Sequence, residues 1–136
     1  MTSPGPAEEL PIRTGDDVVR VRQIVRALAS ASRLSLVDQT KLITAASELA
    51  RNTLVHGGSG LARVDAVQRD GRRGVRAVFT DSGPGIPNVE KALTDGYTTG
   101  SGLGLGLGGS RRLVDEFDLE TAVGQGTTVT VIKWTR

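Results

Sequence analysis

Glu48 and Asn52 stand four residues apart in "ELARN". On a helix that spacing stacks both side chains on one face, where a carboxylate and an amide can line a cleft. Asp81 opens "DSGPGIP", at the end of an apolar strand pattern, and Gly83 and Gly85 follow at two-residue spacing. An acceptor held beside bare backbone can take a hydrogen bond from an exocyclic amine such as the N6 group of adenine. The stretch "SGLGLGLGGS", residues 101–110, holds five glycines and three leucines. Gly102, Gly104 and Gly106 lie ahead of a helix, so its N-terminus and free backbone N–H groups can face an anion. The leucines between them can anchor the loop to a core. Singly, each has a plainer reading: a polar helix face, a turn aspartate, a linker. "GQGTT", residues 124–128, is an ordinary hairpin turn by itself.

Two better-known glycine motifs do not fit. Gly104, Gly106 and Gly109 satisfy G-x-G-x-x-G, but the dinucleotide-binding version follows a strand directly, and here the loop-like "DGYTTGS" precedes it. A phosphate loop of the Walker type needs Lys after its last Gly, and Ser110 stands there.

The elements that must position these residues follow from periodicity. Val18, Val21, Ile24, Val25 and Leu28 recur at helical spacing, with Asp16 available as a cap. Ser35 and Asp38 fit a capping box for a second helix that runs to about His56, where "GGSG" stops it. Leu42, Ile43, Ala46, Leu49, Ala50 and Leu54 share its core arc, and Glu48 and Asn52 flank that arc. Strands are predicted at 61–68 and 75–81 around a "DGRRG" turn, and at 119–123 and 127–134 around "GQG". "NVEKALTDG" reads as a short helix capped by Asn88, and "SRRLVDEF" as the continuation of a helix after the glycine stretch. The fold class is α+β: a two-layer sandwich with helices on one face of a mostly antiparallel mixed sheet. Residues 1–11, rich in Pro, Gly and Glu, read as a disordered tail, and 12–136 as a single domain.

Composition narrows the function classes. The 136 residues contain no cysteine, which excludes disulfides and thiolate metal sites. With 17 basic and 15 acidic residues the net charge is +2, and there are one Trp, one Tyr and two Phe. A nucleic-acid surface would pair a basic cluster with aromatics. The basic run "RDGRRGVR", 69–76, reads instead as a solvated hairpin turn. No apolar run approaches the roughly 20 residues of a membrane span. "MTSPGPAEELP" has neither a basic nor an apolar signal region, so a cytoplasmic protein is expected.

The order Glu-x-x-x-Asn, Asp-x-Gly-x-Gly, Gly-x-Gly-x-Gly, Gly-Thr resembles the N, G1, G2 and G3 boxes of the Bergerat-fold (GHKL) ATPases. The free-standing size resembles their anti-sigma-factor kinase branch. "ASELARN", "DSGPGIP", "DGYTTGSGLGLGL", "RRLVDEF" and "KWTR" resemble the RsbT-like switch kinases. The resemblance implies a Bergerat sandwich, ATP and Mg²⁺ as cofactors, and phosphorylation of Ser or Thr on STAS-domain stressosome proteins. It also implies activation of a PP2C-type phosphatase regulator after release. Carried over by position, Glu48 is the general base or orienting carboxylate and Asn52 the Mg²⁺ ligand. Asp81 binds the adenine amine, and Gly83 and Gly85 give the base room. Gly102, Leu103, Gly104 and Gly106 belong to the lid over the phosphates, and Thr127 supports Asp81 or a bound water. His56 is expected to pack rather than accept phosphate, and the role of Arg51 is left open. Gly108 stands where that family has Pro after the lid. Three alternatives stay open: a kinase that sequesters a sigma factor directly, a nucleotide-gated binding module without kinase activity, and a redox domain that uses the glycine loop for a dinucleotide.

Overall fold

Two helices with apolar stripes and two alternating hairpins can bury both sets of apolar side chains only by packing layer on layer. The computed structural model describes residues 7–93 and 106–136 and has this arrangement. In chain order the elements are β1 (Glu8–Ile12), α1 (Gly15–Ala31), α2 (Leu36–Val55), β2 (Gly60–Arg69), β3 (Arg72–Asp81), α3 (Val89–Ala92), α4 (Gly106–Arg112), β4 (Glu116–Ala122) and β5 (Gly126–Trp134). The strand order is β1-β2-β3-β5-β4. All four pairings are antiparallel, so the parallel part of the expected mixed sheet is absent among the described residues. The α+β sandwich itself is as expected. One core, including Val21, Val25, Leu42, Leu49, Val64 and Phe79, fills the space between the layers.

Three local expectations need correction. Residues 8–11, read as tail, belong to β1, whose Leu10 and Ile12 face the core. Pro11 hid this strand, yet proline is compatible with an edge strand, and β1 is an edge. The cap of α1 is Thr14 rather than Asp16, and Asp17 Oδ2 accepts the N–H groups of Arg13 (2.8 Å) and Thr14 (3.1 Å). The helix read through "SRRLVDEF" stops at Arg112, and Glu116 opens β4. Pairing with β5 wins there: Asp115 N–H donates to Ile132 O at 3.0 Å, and Trp134 N–H donates to Asp115 Oδ2 at 2.7 Å.

The second helix begins as expected. Ser35 Oγ accepts Asp38 N–H at 3.1 Å. The Asp38 carboxylate does not reach back to Ser35. It meets buried Lys133 at 3.7 Å and Arg136 at 3.5 Å, and Asp115 completes the cluster at 3.5 Å from Lys133 and 2.9 Å from Arg136. The predicted "DGRRG" turn shrinks to Asp70-Gly71, with φ of 54° and 78°, the left-handed pair of a type I′ hairpin. The basic run is thus a hairpin, but it is more than solvated surface. Arg69 lies 4.8 Å over the Trp134 ring and grips Glu116 with two bonds of 2.6 and 3.2 Å.

Three carboxylates are held below their ordinary range. For Asp17 the main cause is the Arg13 N–H, and for Glu116 the hydrogen bond from Arg69. For Asp115 burial pushes upward most, but the Trp134 N–H with the Lys133 and Arg136 charges outweighs it. Each binds fewer protons folded than unfolded near pH 4, so its stabilisation is present above the unfolded carboxylate range and lost as pH falls through the folded value. Urea melts should show stability level from roughly pH 8 to 5 and falling below about pH 4. Asp115→Asn should cost roughly 1–3 kcal/mol at neutral pH and flatten that acid limb.

Candidate functional site

Along three adjacent strands the helix-facing side chains are apolar, then turn polar at one end. In β3 the buried column Val75, Ala77, Phe79 is followed by Asp81. In β5 Val131 and Val129 lead to Thr127, and in β4 Phe117 and Leu119 lead to Thr121. The register sets Asp81 beside Thr127 and Thr127 beside Thr121. The core therefore ends in one polar row, with Gly60 of β2 paired on the other side of Asp81.

The last turn of α2 closes over this row. A Cβ on Gly57 would lie 2.5 Å from both Cβ and Cγ of Asp81 and 2.6 Å from the Thr53 carbonyl. A Cβ on Gly83 would lie 2.8 Å from Gly57 Cα. Bare backbone on both sides is what lets the helix end approach Asp81. Gly83 N–H donates to Asp81 Oδ1 at 2.9 Å, and the second carboxylate oxygen takes no hydrogen bond among the described residues. Gly85 has φ of 79°, and a Cβ there would strike the Ala122 carbonyl. Two bonds stitch this loop to the β4–β5 hairpin: Gly124 N–H to Pro84 O at 2.8 Å, and Ile86 N–H to Thr121 Oγ1 at 2.9 Å.

Asp81, Gly83, Gly85 and Thr127 thus meet at one sheet end. Asn52 joins them through backbone, its carbonyl accepting the N–H groups of His56 (2.9 Å) and Gly57 (3.3 Å). Its half-buried side-chain amide has no partner among the described residues. Glu48 lies about 6 Å further back along α2. Its side chain is 16% exposed and 3.7 Å from Arg51 Nη1. Gly106, with φ of 70°, opens α4, which packs on α2 through buried Leu107, Gly108 and Ser110. Gly102, Leu103 and Gly104 lie outside the described residues. His56 is exposed at the end of α2 instead of packed, because the core arc has already turned away there. A separate hollow of about 440 Å³ sits at the far end of the same strands, lined by Arg69, Asp70, Arg72, Asp115, Glu116 and Trp134.

Residues 13–133 match the profile of the histidine kinase-like ATPase domain. The serine/threonine-protein kinase RsbT of Bacillus subtilis (strain 168) is 42% identical over 125 residues, 92% of this chain and 94% of that protein. The chain belongs to this family. The anti-sigma F factor of Geobacillus kaustophilus (strain HTA426) is 30% identical, covering 79% of this chain and 77% of that protein. Among solved structures, the RsbU and RsbW domains of a Mycobacterium tuberculosis protein share the fold with a TM-score of 0.66 at 24% identity, covering 98% of this chain and 34% of that one. The mycobacterial sensor histidine kinase MprB does so at 0.56 and 20%, covering 96% and 99%.

In this histidine kinase-like ATPase, sequence reasoning missed three residues. Thr53 is buried, donates to Leu49 O at 2.9 Å, and fills the space above Gly60. Thr121 and Gly57 also escaped notice. Gly57 carried a signal, since "HGG" follows the Glu/Asn helix, but it read only as a helix stop. Gly57→Ala is expected to cost roughly 1–3 kcal/mol, because its methyl meets Asp81 and helix backbone. Gly15→Ala, where nothing lies within 4 Å, should be neutral or stabilise by about 0.4–1 kcal/mol. Denaturant unfolding of both variants checks the contrast.

Proposed function

We propose that this chain is a cytoplasmic, ATP- and Mg²⁺-dependent protein serine/threonine kinase of a partner-switching stress module. It transfers phosphate to Ser or Thr on STAS-domain stressosome proteins, and when released it binds and activates a PP2C-type phosphatase regulator. The observation that carries the reading is the polar row at the end of the core, with Asp81 held beside bare backbone and the Glu48/Asn52 face of α2 one turn away. A base entering there continues the apolar layer, and its exocyclic amine meets the open oxygen of Asp81. Gly83 and Gly85 leave it room, and Thr127 supports the Asp81 end.

The donor set of α2 suits Mg²⁺. That ion keeps several waters and binds nucleotide phosphates, so one protein oxygen is enough, and the Asn52 amide is uncommitted among the described residues. When bound, the metal neutralises phosphate charge. Phosphoryl transfer needs positioning and charge neutralisation more than covalent chemistry. Glu48 orients the attacking hydroxyl from the same helix face as Asn52. Gly102, Leu103, Gly104 and Gly106 cover the phosphates in this reading.

The likeness to an anti-sigma F factor favours a second reading, direct capture of a sigma factor by the same kinase fold. Pull-down of a sigma factor instead of a STAS protein would select it.

Calorimetric titration and radiolabelled transfer to a purified STAS partner test the roles separately. Asp81→Asn should weaken ATP binding by roughly 1.5–3 kcal/mol, the worth of a charge-assisted hydrogen bond, in a folded protein. Glu48→Gln should bind ATP nearly as well but transfer phosphate about 10²–10⁴-fold more slowly. Asn52→Ala should lose Mg²⁺–ATP binding and transfer together. Full transfer by Glu48→Gln would remove it from the chemistry.

A further inference from the structure

The row Asp81–Thr127–Thr121 contains a hydroxyl pair whose hydrogens can be assigned. Thr121 Oγ1 touches three groups: Ile86 N–H at 2.9 Å, the Gly126 carbonyl at 3.2 Å, and Thr127 Oγ1 at 2.9 Å. A threonine hydroxyl has one hydrogen and two lone pairs. The Ile86 amide takes one lone pair. The Gly126 carbonyl can only accept, so Thr121 gives it the hydrogen. The hydrogen of the Thr–Thr contact then comes from Thr127 and meets the second lone pair of Thr121. The opposite choice leaves the carbonyl of buried Gly126 without that donor, which costs free energy. Only the first assignment uses every valence of Thr121.

The consequence falls on Thr127. Its single hydrogen is turned toward Thr121, and only lone pairs remain for whatever lies beside Asp81. A carboxylate also only accepts. A water donating to both offers lone pairs in turn, so the polarity passes through it. We propose that Thr121 is a positioning residue for base selectivity: it fixes Thr127 as an acceptor and makes the base end of the site accept-only. Where ring position 6 of a purine meets that row, such a site takes an amine and rejects a carbonyl. The inference rests on the nucleotide reading of the site and concerns which base that site accepts.

ATP and ITP differ in this respect, with an amine on one and a carbonyl on the other. The full chain should bind ATP more tightly than ITP in calorimetric titrations with Mg²⁺. Thr121→Val removes the hydroxyl and frees the Thr127 hydrogen to donate. The ATP:ITP affinity ratio should then fall about ten-fold, the worth of one hydrogen bond. Thr121→Ser should restore it. A purely structural role would weaken both nucleotides together and leave the ratio alone. Where circular dichroism shows Thr121→Val unfolded, Thr121→Ala gives the same reading. An unchanged ratio in a folded variant overturns the inference while the nucleotide site stands. A wild-type protein that binds neither nucleotide overturns both.

Discussion

The contact between Gly57 and Asp81 organises the whole site. There the end of a helix meets the end of a strand with glycine at 57 and again at 83, and the carboxylate lies between them. Asp81 is therefore located by backbone, which leaves it little freedom to turn. Everything else takes its place from that contact. Helix α2 is stiff, so fixing its last turn also places Asn52 and Glu48. The β3–β5 pairing is in register up to Asp81 and Thr127, so fixing the strand end places the hydroxyls of the row. One close approach thus frames the α2 half and the sheet half of the site together.

The opposite end of the sandwich holds α2 by different means. Lys133 is buried between Asp38, at the start of that helix, and Asp115, just before β4, with Arg136 bridging the same two carboxylates. Buried ion pairs contribute little net stability, but removing one partner is costly because the remaining charge stays buried. Such a cluster suits a joint that specifies position. On the outer face of the sheet, Trp134 closes a small cluster with Val67 and Ile132 and is roofed by Arg69. The charged end is the anchor, and the glycine-lined end, nearly the full length of β3 away, is the end proposed to bind nucleotide.

Much of this was legible. The stripe on α2, the Ser35 cap, both hairpins and the layer order follow from periodicity and turn chemistry, which tertiary packing here only reinforces. Legibility failed where a long-range partner decided the outcome. Leu10 and Ile12 are two apolar residues around a proline, too few to announce β1 without β2 beside them. "LVDEF" has helical spacing, and only the pull of β5 on Asp115 ends the helix early and lets β4 begin at Glu116. The candidate residues marked by glycine or by the Glu/Asn spacing could be singled out, because their types are unusual in those contexts. Thr121 could not. A threonine in a strand is ordinary, and its importance lies in three contacts, two of them made within the β4–β5 hairpin and one to the loop after β3.

That contrast says what kind of recess this is. Several of the groups that shape its proposed base end are main-chain atoms: Gly83 N–H, Ile86 N–H, Gly124 N–H and the Gly126 carbonyl. Substitution cannot remove a main-chain atom, so the shape of the recess belongs to the fold. What a substitution can change is the polarity presented by three side chains, Asp81, Thr127 and Thr121. A site built this way, as proposed, keeps its shape under sequence change around it and concentrates its choice of ligand in a few hydrogen-bonding groups. In the proposed site, size is set by glycine and backbone, and chemical identity by which hydroxyl hydrogens are already spent.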